Sequence, residues 1–334
     1  MAGPPRKKKE KAVSRVSEAV SFIMPATQPG GLDYQQYIRI SGGYAVAFDG
    51  TVAAGFPVEE ELTVCPQADK LDAALKKCGT DLTITVLPSG ALSVKGGKLR
   101  AVVPCLSDQG VMPPVWPDPP VAVITDEIKE GFKALAKLAN DKAETVLEAS
   151  ILLQARTMVA TNRLVLLEYW HGIDLPPGLV IPKAFAAAVM KQTVALTGFG
   201  FGPHSVTFHY ENGAWIRTQL FQDQYPDYTR IVDVPSYPIP IPEGLIEAIE
   251  AVATFSDSDT VLLRNGRVTT NREDERGAQH EVAGLEVNGD YRAFAPSLFK
   301  KVSGFIETID LNTYDDRAFF FGGNIRGVIM GKRA

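Results

Sequence analysis

The chain is poor in the residues that mark most kinds of chemistry. Its 334 residues hold three cysteines, Cys65, Cys78 and Cys105, and no two of them form a CxxC pair. An odd number of scattered thiols fits a reducing cytoplasm and argues against both a disulfide framework and a zinc site. There are four histidines, and His204 and His209 have no acidic or cysteine partner at ligand spacing, so they read as surface or packed imidazoles. No Walker A loop, HExxH or GxSxG occurs, which leaves no motif for nucleotide, zinc-protease or serine-hydrolase chemistry and implies no cofactor. No apolar run approaches the roughly 18 residues of a membrane span. The basic start, Arg6-Lys7-Lys8-Lys9, leads into Glu10 and Lys11 and not into an apolar stretch, so no signal peptide is expected and no membrane partner. Basic excess is lacking too: 34 Lys and Arg stand against 39 Asp and Glu, a net charge of −5. A surface of that sign repels nucleic acid as a whole, although one local basic face remains compatible with it.

What the chain does have is a block that occurs three times, beginning at Pro66, Pro182 and Pro296. Each copy reads as a proline, an amphipathic helix, a strand, a turn and a last strand with one arginine among apolar residues: Arg100, Arg217 and Arg326. The spacing of about 115 residues is domain-sized, too long for solenoid or propeller repeats. Two proline-rich stretches, Met112–Pro120 and Pro235–Pro242, read as linkers that exclude helix and sheet. They divide the chain into a basic tail (1–11) and three modules (12–120, 121–236 and 237–334). Each module opens with a helix, at Arg15–Ile23, Asp126–Asn140 and Glu243–Phe255, then continues with strands. Strands are expected at Tyr37–Ile40, Tyr44–Phe48 and Glu60–Val64. The fold class is therefore α+β, three similar modules with two helices each packed on β-sheet. Three equal modules suggest a segment of a ring more than a single-pocket enzyme.

Two weaker signals take bland readings. Gly198-Phe199-Gly200-Phe201-Gly202 lacks GxGxxG and reads as a turn between a helix and a strand. Asp223 and Asp227 flank Tyr225-Pro226 and read as turn or capping residues more than a catalytic carboxylate pair.

Lysines recur on the helices. Lys129, Lys133 and Lys137 form a stripe on the middle helix, opposite Ile128, Phe132, Leu135 and Leu138. Lys70, Lys76 and Lys77 lie on the first repeat helix, Lys183 and Lys191 flank the second, and Lys300 and Lys301 lie on the third. Any solvated helix carries lysine. Recurrence across modules also fits a concave surface that touches phosphates without reading bases.

Four passages resemble, in order, a known family, the bacterial-type DNA sliding clamp, the β subunit of DNA polymerase III, in a short and divergent form such as a phage carries; the likeness covers nearly the whole chain, residues 12–334. Val159-Ala160-Thr161-Asn162-Arg163-Leu164 is similar to the family's VATDGHRL, two residues shorter. Val180-Ile181-Pro182-Lys183 resembles the start of its second repeat helix, and Phe221 to Tyr228 its DGxFPDY run. Gly327 to Arg333 resembles its VVMPMR end, with Gly331 in place of the proline.

The resemblance implies half of a closed ring: a head-to-tail homodimer of six modules, with helices lining a hole around double-stranded DNA without sequence preference. It implies no enzymatic activity, a replicative DNA polymerase as partner and a clamp loader ATPase that opens the ring. It also implies a groove for partner peptides involving Thr161, Arg163, Leu164, Val328, Ile329 and Met330. The subunit contact would set Ala101 and Val103 against Thr254 and Phe255, although Ala101-Val102-Val103 reads equally well as a core strand. A non-DNA ring or tube of repeated modules, such as a phage structural protein, is the competing reading. An enzyme with a site between modules would require a converging polar cluster at a linker.

Overall fold

The computed structural model describes residues 15–79, 81–107, 115–140, 142–271 and 277–332. The basic tail and part of the first linker therefore lie outside the described residues.

In the first third of the chain, α1 (Arg15–Ile23) and a one-turn α2 (Asp33–Gln36) precede β1 (Arg39–Ser41), β2 (Tyr44–Phe48) and β3 (Val52–Pro57). Then α3 (Ala68–Cys78) leads into β4 (Leu82–Val86), β5 (Leu92–Gly96) and β6 (Leu99–Val103). The middle third holds β7 (Pro120–Ala122), α4 (Glu127–Leu135), α5 (Val146–Ala149), β8 (Ser150–Leu153), β9 (Thr157–Thr161), β10 (Val165–Trp170) and β11 (Leu179–Pro182). It ends with α6 (Lys183–Met190), β12 (Leu196–Gly202), β13 (Ser205–Tyr210) and β14 (Trp215–Gln219). The last third runs α7 (Thr229–Val232), β15 (Ile239–Pro240), α8 (Leu245–Ala253), β16 (Val261–Arg264), β17 (Arg267–Thr269), β18 (Gln279–Glu281) and β19 (Arg292–Phe294). It closes with α9 (Pro296–Val302), β20 (Thr308–Asp310), β21 (Arg317–Gly322) and β22 (Ile325–Met330). The repeated block is thus a helix with three antiparallel strands, one strand more than the sequence pattern predicts.

The chain packs into two compact units: the described residues up to Asp126 with Ala188–Leu220, and Glu127–Ala187 with those from Phe221 onward. The first unit contains a seven-stranded sheet in the order β1-β2-β3-β14-β13-β12-β7 and a three-stranded sheet β4-β5-β6. The second contains an eight-stranded sheet, β11-β8-β9-β10-β22-β21-β20-β15, and a four-stranded sheet, β18-β17-β16-β19. Each long sheet joins strands from two successive thirds of the sequence.

Helix α4 forms where the sequence places it but stops at Leu135. Ile128, Phe132, Leu135 and Leu138 are all buried, and Phe132 meets Phe185 edge-on at 6.3 Å between centroids. Gly131 lets the helix lie close on β9 and β10: a Cβ there would stand 2.7 Å from the Met158 sulfur and from the Tyr169 ring. Acidic Glu127 and Glu130 in its first turn and Lys133 in its last match the helix dipole. Likewise α8 spans Leu245–Ala253, shorter than expected.

Three expectations are overturned. Glu60–Val64 forms no strand; Val64 makes an isolated bridge to Ile40 and the backbone then turns into α3. The Gly-Phe alternation at 198–202 is not a turn but strand β12, whose glycines admit a close neighbour: a Cβ on Gly200 would stand 2.4 Å from the Asp118 carbonyl oxygen. Both proline-rich linkers contribute a strand, β7 and β15, each at a sheet edge, where a missing N–H costs no ladder bond.

Candidate functional site

The second unit carries an apolar groove of about 240 Å³ on one face of the eight-stranded sheet. Its floor comes from alternate residues of two paired strands, Leu166 in β10 opposite Val328 in β22. Leu166 and Val328 belong to a buried cluster with Leu152, Val159, Val180, Tyr228, Val232 and Phe319. Met330 and Leu147 line the sides, and the segment Tyr225-Pro226-Asp227-Tyr228 with Ile231 forms the far wall.

The near rim is the β9–β10 turn. Asn162 Oδ1 accepts from Leu164 and Val165 N–H at 3.1 and 2.7 Å, and Thr161 Oγ1 donates to Val165 O at 2.7 Å while accepting from Arg163 N–H at 3.0 Å. This turn is tight enough to hold Arg163 at φ +70°, a left-handed conformation that costs a residue with a Cβ about 1 kcal/mol or more. The Arg163 guanidinium is fixed by Glu148, 3.2 Å away, and Glu148 itself accepts from Thr145 Oγ1 at 2.8 Å. Leu164 follows with 51 % exposure, an apolar side chain presented to solvent at the groove mouth. Gly331 has its own physical reason: its N–H donates to Asp316 O at 2.7 Å, a bond that a proline there could not make.

Of the residues expected at a peptide groove, Thr161, Arg163, Leu164, Val328 and Met330 meet at this cavity. Ile329 does not: strand alternation turns it to the opposite face, where it is fully buried. Sequence reasoning missed Leu147, Leu166, Ile231 and the Tyr225–Tyr228 wall. The Tyr-Pro-Asp-Tyr run was the signal that could have found the wall. Burial pushes the Tyr225 hydroxyl well up, and burial with the Glu168 charge pushes Tyr228 up to about 12, so both stay protonated; Tyr228 donates to Glu168, whereas the Tyr225 hydroxyl is buried without a hydrogen-bond partner among the described residues. Asp227 accepts from the Thr229 hydroxyl at 2.6 Å and from its N–H, and pairs with Arg230 at 3.0 Å; these contacts hold its carboxyl below the usual range. Its role is to start α7.

The lysines fall on both units. Lys70, Lys76, Lys77, Lys133, Lys137, Lys191 and Lys300 are exposed, and Lys129, Lys183 and Lys301 are half-buried. Several already have local partners: Lys76 lies 2.6 Å from Asp72, Lys133 lies 3.7 Å from Glu130, Lys70 lies 3.7 Å from Asp69, and Lys137 sits over the Phe305 ring at 4.4 Å. At the expected subunit contact, Val103 is buried within its own unit and Ala101 is half-buried, while Val102 of the same strand is 55 % exposed. Thr254 is exposed and Phe255 is 67 % exposed just beyond α8. Among the described residues no group of three or more His, Cys, Asp or Glu side chains could hold a metal ion, and no helix is long and apolar enough to cross a membrane.

No protein-family model and no curated protein matches the chain. Solved structures do. The DNA polymerase sliding clamp of Bacillus subtilis superposes with a TM-score of 0.79 at 15% identity, over 96% of this chain and 97% of that one. This chain has the fold of bacterial sliding clamps. The DNA polymerase III subunit beta of Pseudomonas aeruginosa matches at 0.76 with 17% identity, over 96% and 98% of the two chains. The Helicobacter pylori beta clamp bound to a DNA ligase peptide matches at 0.77 with 14% identity, over 96% and 98%. The architecture of the sliding clamps is therefore shared nearly end to end, while the sequence has diverged from theirs.

Proposed function

We propose that this chain is the subunit of a DNA sliding clamp, a processivity factor without enzymatic activity. Two copies close head to tail around duplex DNA and tether a replicative polymerase and other partners by short peptides. The observation that carries this reading is the apolar groove under the β9–β10 turn, on a fold shared with proteins that include a clamp bound to a ligase peptide. An apolar floor, a methionine and one fixed arginine accept two hydrophobic anchors and a polar contact. A peptide held there raises the polymerase's effective concentration at the primer end. Opening the ring needs a loader ATPase, which this chain does not itself supply.

Strand order supports self-association. In the long sheets the last strand of one repeat block lies antiparallel to an earlier strand, β14 on β3 and β22 on β10. The sheet β19-β16-β17-β18 has the connectivity of β11-β8-β9-β10, so β18 stands where β10 stands, and β6 stands where β22 stands. Among the described residues neither β6 nor β18 has a partner strand on its free edge. Pairing them between copies would make a seven-stranded sheet like the one inside each chain and remove both edges. Ala101, Val103, Thr254 and Phe255 would lie at or beside that seam. The arginines agree: Arg217 and Arg326 hold carboxylates, whereas exposed Arg100 holds the Ser93 hydroxyl at 3.2 Å.

The three modules (12–120, 121–236 and 237–334) remain the reading of the ring's repeat, and the lysine set remains the reading of its DNA-facing side. Light scattering across a concentration series tests closure: twice the chain mass without further growth is expected, and open-ended association would favour a tube-forming structural protein instead. Replacing Lys129, Lys133 and Lys137 together with glutamate should shorten retention on circular nicked DNA and flatten its salt dependence. Unchanged retention would remove that helix from the DNA-facing surface.

A further inference from the structure

Helix α7 is four residues long, far below the length at which a helix holds itself together in water. Yet it carries Ile231 into the groove wall, and Tyr228 immediately before it lines the same wall. Both its ends are tied to one pair of side chains on the sheet. At its start, Tyr228 Oη donates to Glu168 Oε1 at 2.9 Å. At its end, Asp233 Oδ1 accepts from Arg326 Nη1 at 2.8 Å. Glu168 and Arg326 face each other directly across β10 and β22, and Arg326 Nε reaches Glu168 Oε2 at 2.5 Å.

Tyr228 and Glu168 are 8 % and 6 % exposed, so the bond between them is buried, where such bonds are strong and leaving one unmade is costly; the Arg326–Asp233 end is open to solvent. The Tyr228 hydroxyl also meets the Thr157 side chain, on the side away from the groove. On the far side of Tyr228, Glu168 and Arg326 also line a polar cavity of about 550 Å³ with Thr157, Trp170 and Asn324. The two cavities share the tyrosine–glutamate bond as their partition.

We infer that Glu168 and Arg326 are positioning residues for the peptide groove, a latch that sets its width by holding Tyr228 and α7 against the sheet. This rests on the groove reading for its functional meaning but not for its test. The latch acts at a distance: neither charged group lines the groove, and each acts through the tyrosine. Arg326→Lys keeps the charge but cannot span Glu168 and Asp233 with one fork, so it preserves only part of the hold.

The test uses the full chain with its methionine methyl groups labelled with carbon-13. Met330 lines the groove beside the Tyr228 ring, and Met158, on the helix-covered face of the same sheet, serves as internal control. Tyr228→Phe removes one hydroxyl and keeps the ring, so it folds even where Glu168→Gln does not. In both variants the Met330 methyl resonance should move or broaden while that of Met158 stays in place. Affinity for a fluorescein-labelled pentapeptide bearing adjacent leucine and phenylalanine should fall about tenfold, the scale of a lost hydrogen bond to a charged group. Arg326→Lys should fall between wild type and Glu168→Gln. A Met330 resonance unchanged in a folded Tyr228→Phe protein would overturn the latch. A shifted Met330 in a protein whose wild type binds no peptide would uphold the latch and sink the groove reading.

Discussion

Arg217 in the first unit and Arg326 in the second occupy the same place in their repeat blocks; Arg217 fastens a linker, through Asp118, and Arg326 fastens the segment around α7, through Asp233 and Glu168. In the first unit every partner is short. Asp118 accepts from Ser205 Oγ at 2.9 Å, Thr207 Oγ1 at 2.8 Å and Arg217 Nε at 3.3 Å; its N–H donates to Thr207 Oγ1, and His209 Nε2 lies 2.8 Å from its carbonyl oxygen. The linker is drawn flush onto the sheet. In the second unit the partners are long, Glu168 and Tyr228, and the chain is held off by an aromatic ring. That spacing leaves a groove on one side and a polar cavity on the other. The same position in the repeat makes a closed seam with short side chains and an open groove with long ones.

The largest effect should come from breaking the closed seam. Asp118→Ala leaves Arg217 and two hydroxyls largely buried without their common acceptor, and unfolding in denaturant should show a loss of about 3 kcal/mol. Peptide affinity in the other unit should be untouched; a parallel fall would mean that the two arginine sites are not independent. Next is the open site. Leu164→Glu places a charge at the groove mouth and should weaken peptide binding by about 2 kcal/mol, as measured by fluorescence polarisation. Because Leu164 is half exposed, its melting temperature should hardly change; equal losses of both would make Leu164 a core residue and not a contact.

Arg163→Gly sharpens the contrast further, because it separates strain from function. Glycine accepts φ +70° freely, so stability should rise by about 1 kcal/mol while peptide affinity drops several-fold with the guanidinium gone. Lower stability together with unchanged affinity would contradict both halves. The smallest effect concerns pH. His171 is buried in the second unit, and burial holds its imidazole below the ordinary 6.5, partly offset by its bond to Thr157 O. Ile173 N–H donates to its Nδ1 at 3.2 Å and its Nε2 lies 3.1 Å from Thr157 O, so the neutral ring satisfies both neighbours. The unfolded chain takes up the proton more readily than the folded one. Stability should therefore be full above pH 6.5 and fall as the pH drops below it. His171→Gln should flatten that slope in a series of melts; an identical slope would assign it to other groups.

Much of this was legible along the chain. The apolar period of α4 gave its buried face because a solvated helix must hide one stripe. The repeat blocks, each with its arginine, were legible because they are local in sequence. The groove was half legible. Thr161, Arg163, Leu164, Val328 and Met330 sit on paired hairpins and meet at the cavity, but Ile329 lies between Val328 and Met330 on one strand and so faces the other way. The Gly-Phe run at 198–202 misled because glycine alternation suits a turn; it is a strand because it pairs with β13 and β7, and its glycine at 200 admits the Asp118 backbone.

The sequence by itself determined the α+β class, the threefold repeat, the absence of motif chemistry and the buried stripes, since all of these follow from patterns a few residues long. The tertiary structure alone decided which strand of one third lies beside which strand of the next, and with that the meaning of each arginine. Glu168 and Arg326 are 158 residues apart. No local pattern encodes their meeting; it exists because β10 and β22 pair, and the groove wall stands on it.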